Sequence, residues 1–292
     1  MATRRLKLWV GMSSFALVAP LDAAVAQTHQ HGAAPAAAQA APAAKPAPEA
    51  RAKAPETKDS GSMPSDAGEG GEGGEGVDTD AFAFSKPDEQ FVGRLLLSRG
   101  HLAVGLELYG AGDKETGAQH FAHPSVELYG WLEPELAKRN ATPFKDGLDQ
   151  LVAAALRKAP IEEIRKLYGA VTARIDAAEA KAGPLSEEAQ VRVLGAALDQ
   201  AAHEYGDGVK NGKVAALTEY QDARGFYVAT KAWFEARRDK LQAKAPAQTA
   251  SLTKDIAAIV AFVPSAKPAA KLNKPGDFQA LASRIRFSAG EF

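Results

Sequence analysis

An all-α fold, a helical bundle of about eight helices, is what this sequence predicts. Three observations carry it. Apolar residues recur at three- and four-residue intervals through most of the chain beyond Asp80, as in "FVGRLLLSRGHLAVGLELYG", which is the period of a helix with a buried face. Gly-Pro, Asn-Gly and Ala-Pro pairs stand between these stretches, where turns belong. Only "AIVAFV" at 258–263 could pass for a strand.

The elements follow in order. The chain opens "MATRRLKLWVGMSSFALVAPLDAAVAQ". Arg4, Arg5 and Lys7 form a basic start, and an apolar run from about Leu8 to Leu21 comes next. "Ala24-Val25-Ala26" has the small residues of a cleavage site. The run is short and contains Pro20, so 1–26 reads as a secretory signal peptide rather than a span. The expected location is the periplasm. Residues 27–79 form an Ala/Pro tract followed by "GEGGEGGEG". Large apolar side chains are nearly absent there, so nothing offsets the entropy of ordering, and the segment reads as a disordered linker. Deleting it is expected to leave the melting temperature within about a degree; a large loss would show that it packs on the domain.

Residues 80–292 are long enough for one sizeable core. "GLDQLVAAALRKA", "IEEIRKLYGAVTARIDAAEAKAG", "SEEAQVRVLGAALDQAAHEYG", "KVAALTEYQDARGFYVATKAWFEARRDKL", "SLTKDIAAIVAFV" and "DFQALASRIRF" are amphipathic helices. Ser186, with Glu188 behind it, and Asp146 mark helix starts.

Composition narrows the function. There is no cysteine, which excludes disulfides, thiolate ligands and c-type haem attachment. The net charge is −1, and near −3 without the basic segment 1–26; this gives no reason to expect nucleic acid or an anionic membrane as partner. No later run of about 18 apolar residues is present, so the mature chain is expected to have no membrane span. There is no G-x-S-x-G, H-E-x-x-H or phosphate loop.

One pattern exceeds composition. "GLELYGAG", "SVELYGW", "RKLYGAV", "AHEYGDG" and "LTEYQDA" each set a tyrosine after a charged residue, most often before glycine. The recurrence suggests duplicated helical hairpins. Aligning Tyr109 on Tyr205 brings Gly110, Gly112 and Lys114 onto Gly206, Gly208 and Lys210. Glu107 then faces His203, and His123 faces Glu219.

The same region holds the candidate metal ligands. In "QHFAHPSVELYG", His120, His123 and Glu127 would lie at about 0°, 300° and 340° on one helix, as neighbours able to share an ion. Pro124 either kinks that helix or restarts it at His123, which would detach His120. His101, Glu107, His203 and Glu219 complete the candidate set from other helices, since ligands on facing helices converge inside a bundle. Glu204 and Asp222 stand beside them, with Arg224 placed to pair with Asp222 or Glu219 across a turn. His29 and His31 form an open His-x-His in the linker. The competing reading of every one of these residues is a satisfied core or surface position.

An exported, cysteine-free helical domain with internal duplication and His/Glu pairs resembles the imelysin-like periplasmic proteins. "RGHLAVGLELYG" is similar to their Gly-x-His-x-x-Glu segment, although here His101 follows Gly100 directly and Glu107 lies six positions on. The likeness spans 80–292 and implies a helical bundle tied to iron uptake; some relatives are metallopeptidases, an activity the altered motif does not carry over. The leading reading is a non-catalytic metal-binding protein, with iron favoured and copper or zinc also able to bind imidazole. A structural or interaction module of the envelope, engaging another envelope protein, competes with it. A metallohydrolase is the weaker alternative.

Overall fold

In a computed structural model, the structure describes residues 79–292 apart from position 84. The signal-peptide reading of 1–26, the linker reading of 27–79 up to residue 78, and His29 and His31 lie outside the described residues.

The fold is an all-α bundle. Its α-helices are α1 (Pro87–Gly110), α2 (Lys114–His123), α3 (Tyr129–Lys138), α4 (Lys145–Leu156), α5 (Ile161–Glu179), α6 (Glu187–Gly208), α7 (Leu217–Glu235), α8 (Arg238–Lys244), α9 (Pro246–Ala258) and α10 (Pro275–Phe287). "AIVAFV" ends α9 and continues as a short 3-10 turn, Ile259–Ala261. Among the described residues the one sheet is a two-residue ribbon, with Val209 paired to Val214 and Lys210 to Lys213. It joins α6 to α7. Asn211 and Gly212 turn it with φ of 54° and 72°, the left-handed pair that a tight hairpin demands.

Helix α1 runs through the middle. It is buried over most of its surface, from Phe91 and Leu95 to Val104 and Tyr109, with a half-buried stripe at Arg99, Ala103 and Leu106. Helices α2, α5, α6 and α7 pack around it. Two glycine crossings set the closest approaches. Gly100 of α1 meets Gly225 of α7, where a Cβ on Gly225 would lie 2.3 Å from the Gly100 carbonyl oxygen. Gly105 of α1 meets Gly117 of α2, where a Cβ on Gly117 would lie 2.8 Å from the Gly105 oxygen. A half-buried ion pair fixes the start of α1: Arg192 of α6 grips both oxygens of the buried Glu89, Nη2 at 2.7 Å and Nε at 3.1 Å. Such a two-pronged contact adds orientation as well as energy.

The repeated tyrosines anchor distant backbone. The Tyr109 hydroxyl donates to the Ala159 carbonyl at 2.7 Å, Tyr205 to Asn273 at 3.0 Å and Tyr220 to Ser265 at 3.1 Å. Tyr129 accepts from the amides of Phe144 and Lys145. Each is a large apolar ring with one polar end that finds a partner. Tyr109 and Tyr205 thus do equivalent work near the C-terminal ends of α1 and α6.

Helix starts follow local chemistry. Ser186 accepts from the Ala189 amide at the head of α6, and Asp113 accepts from the Thr116 amide at the head of α2. No described helix is long and apolar enough to cross a membrane.

Candidate metal centre

Pro124 neither restarts the helix nor breaks it. The chain passes from α2 through a π-helical turn, Pro124–Leu128, into α3. Residue 123 keeps helical angles, φ −51° and ψ −46°. The amide of Tyr129 reaches back to the Pro124 carbonyl, five residues away. This wide turn tolerates proline's missing N–H and keeps Glu127 over His123. Single π turns of this kind are frequent at functional sites.

Three elements bring the side chains together. Helix α1 supplies His101, α2 supplies His120 and His123, and α7 supplies Asp222. One ligand atom from each of these four lies within 4.8 Å of the others. Asp222 is the hub. Its Oδ1 is 2.7 Å from His101 Nδ1 and 3.0 Å from His120 Nδ1, and its Oδ2 is 3.5 Å from His123 Nδ1. Glu127, on the π turn, sits 3.2 Å from His101 Nε2 and 3.4 Å from His123 Nδ1. Gln221 Oε1 lies 2.9 Å from His120 Nε2. The inner members are sealed: His101 and His120 are both 0% exposed. His123 is the outer one, with 19% of its side chain exposed.

The arrangement is overloaded with acceptors. His120 has an oxygen against each ring nitrogen, and so has His101. A neutral imidazole carries one N–H and can satisfy one acceptor only. Two buried nitrogens, His101 Nε2 and His123 Nδ1, make no hydrogen bond. Unpaired buried polar atoms cost free energy, and a cation among these rings removes the conflict.

A proton can be that cation. Burial pushes the His101 imidazolium down, but the Asp222 charge, its hydrogen bond and Glu127 outweigh this and bring the pKa up to about 10. Asp222 is itself buried, which alone would raise it, yet the His101 charge and the hydrogen bonds from His101 and His120 hold it well below the usual carboxylate range. Glu204 of α6 stands beside the cluster. Burial, then the charge on Asp222, push its carboxyl up to about 8, against the Gln200 hydrogen bond.

These shifts give a pH prediction for the chelator-treated protein. His101 holds its proton more tightly folded than unfolded. Its contribution is therefore fully present below about pH 6.5 and lost as pH rises through about 10. Glu204 acts with the same sign between its unfolded value and about 8. Asp222 acts oppositely, so its contribution is lost in acid. Urea midpoints should accordingly fall between about pH 6 and about pH 9. A midpoint that rises over that interval contradicts the assignment.

The structure places the remaining sequence candidates elsewhere. Glu107 pairs with Arg224, Nε to Oε2 at 3.1 Å, and accepts from the Ala266 amide at 2.8 Å. Arg224 thus pairs with Glu107, not with Asp222 or Glu219. His203 is 53% exposed and faces Asp207 across one turn at 3.4 Å. Glu219 is half-buried in the first turn of α7, outside the group. Changing His203 or Glu219 to alanine should move stability by no more than about 0.5 kcal/mol and leave any metal response intact; loss of that response would give them a role the geometry does not.

The internal register of the sequence selects Glu219, whereas the structure brings Asp222 to the cluster. The usable signal was an acid inside the small and aromatic run "YQDARGFY", where a helix face is apolar on both sides of it. Gln221 carried no signal beyond adjacency.

Residues 184–290 match the iron permease-associated 4-helix bundle domain. Over that stretch the chain is similar to an iron-related helical-bundle family, a coarser kinship than the imelysin-like one expected from the motif. The iron-permease-associated stretch contains Glu204, Gln221 and Asp222, while His101, His120, His123 and Glu127 precede it. No curated protein and no solved structure matches the chain.

Proposed function

We propose that this is an exported helical protein that binds one transition-metal ion through His101, His120, His123 and Asp222, with iron as the first candidate. The single observation behind the reading is the convergence of four ligand groups from three elements on one buried point. One nitrogen of this set, His123 Nδ1, is buried and makes no hydrogen bond. Three imidazoles and a carboxylate suit iron, zinc and copper alike. Iron is preferred because of the likeness to the iron permease-associated bundle. The periplasm follows from the reading of residues 1–26.

Binding rather than catalysis is proposed, since the ion would lie among sealed side chains with only His123 and Glu127 toward the outside. Binding requires neutral rings, so affinity should fall in acid.

The test is metal content of the purified chain, followed by melting with added Fe(II), Zn(II) and Cu(II) after chelation. An ion that binds only the folded state adds about 2.7 kcal/mol at a hundredfold excess over Kd. If no ion raises the melting temperature, the cluster is a structural polar network. The envelope interaction module is then the reading that stands.

A further inference from the structure

We infer that the ion is held by the Nδ1 atoms of all three histidines together with Asp222, and that Gln221 and Glu127 do not touch it but hold the opposite ring nitrogens. The inference rests on the metal reading above and assigns the ring atoms within it.

The Nδ1 atoms converge. All three approach one carboxylate, at 2.7, 3.0 and 3.5 Å. The Nε2 atoms of the two inner rings diverge. That of His120 meets the Gln221 amide oxygen on α7, and that of His101 meets Glu127 on the π turn. The first set shares one carboxylate, whereas the two Nε2 atoms face separate oxygens on different elements; the Glu127 carboxylate that faces His101 Nε2 also stands 3.4 Å from His123 Nδ1. Neutral rings that bind through Nδ1 carry their proton on Nε2. The His120 Nε2–H then has the Gln221 oxygen at 2.9 Å, and the His101 Nε2–H has the Glu127 carboxylate 3.2 Å away, which needs only a small rotation to accept it. Partners of this kind fix the tautomer and ring orientation of a metal-bound histidine.

Chain adjacency reinforces the point. Gln221 and Asp222 are consecutive on α7 and grip opposite nitrogens of the same His120 ring. The backbone of one helix therefore determines both where the ion sits and which nitrogen is offered to it. Gln221 and Glu127 are positioning residues on this account.

Nitrogen NMR on the full chain with 15N-labelled histidine tests it, using zinc alone as a diamagnetic probe. The three rings are assigned by single substitutions. On zinc addition the Nδ1 signals of His101, His120 and His123 should move to metal-bound positions while Nε2 stays protonated. Zinc on Nε2 of His101 or His120 overturns this assignment but leaves the metal reading standing. No change in any of the three rings overturns both.

Gln221→Leu should weaken zinc binding about 10- to 100-fold. Gln221→Glu keeps an acceptor oxygen and should bind near the wild-type level. If both variants lose binding equally, Gln221 donates its amide N–H to His120, the His120 proton sits on Nδ1, and the inference fails.

Discussion

Asp222→Ala is expected to abolish metal-dependent stabilisation and also to weaken the metal-free fold. Asp222 is buried and faces all three rings. Its removal leaves the His101 Nδ1–H without an acceptor and strands the charge that His101 carries. Breaking a buried charged pair from one side costs about 3–5 kcal/mol. His101 can shed its proton in response, so the lower figure applies. For a domain of this size that is a fall of roughly 6–12 °C in melting temperature. Asp222→Asn separates the two effects. It keeps a hydrogen-bond acceptor and loses the charge, so the metal response should vanish while much of the metal-free stability survives. Retention of the metal response in the alanine variant would remove Asp222 from the site.

Gly225→Ala should be the most damaging change outside the cluster. A methyl group there would meet the Gly100 carbonyl oxygen at 2.3 Å. That atom is backbone and cannot rotate away, so α1 and α7 must part. Alanine gains about 1 kcal/mol over glycine in helix propensity, whereas overpacking costs up to about 3 kcal/mol, occasionally more. The net sign is destabilising. The separation also carries His101 away from Asp222, so metal affinity should drop although no ligand has been touched. Gly169→Ala is the internal control. It lies mid-helix in α5 with nothing within 4 Å of a new Cβ, and it should stabilise by up to about 1 kcal/mol. Equal effects of the two substitutions would mean that the α1–α7 crossing does not matter.

That crossing also explains what the sequence could and could not tell. The helical class is written in local periodicity, and the Asn211–Gly212 turn in a dipeptide. His120, His123 and Glu127 could be grouped from spacing because the π turn after Pro124 preserves their helical relation. His101 could be named only as a histidine in an apolar helix. Its meeting with Asp222 depends on two glycines, Gly100 and Gly225, that are 125 positions apart in the chain. Nothing local announces that pair. The internal register points to Glu219, which sits about one turn before Asp222 on α7. Its side chain stays half outside, although its neighbour Tyr220 is fully buried. Glu107 and His203 belong to surface and inter-helix ion pairs, which look the same as ligands in a one-dimensional pattern.

The spacing of the cluster along the chain has a consequence of its own. His101 and Asp222 are 121 residues apart, and His120 and Asp222 are 102 apart. On the metal reading proposed above, an ion bound there would be a cross-link that closes very long loops in a chain without a single cysteine. In the chain-entropy view, a covalent tie across about 100 residues removes roughly 4.7 kcal/mol of freedom from the unfolded ensemble. For as long as the ion stays on, the chain cannot open fully, and unfolding must wait for ligand exchange. A chelator would act on this protein as a reductant acts on a disulfide-stapled one.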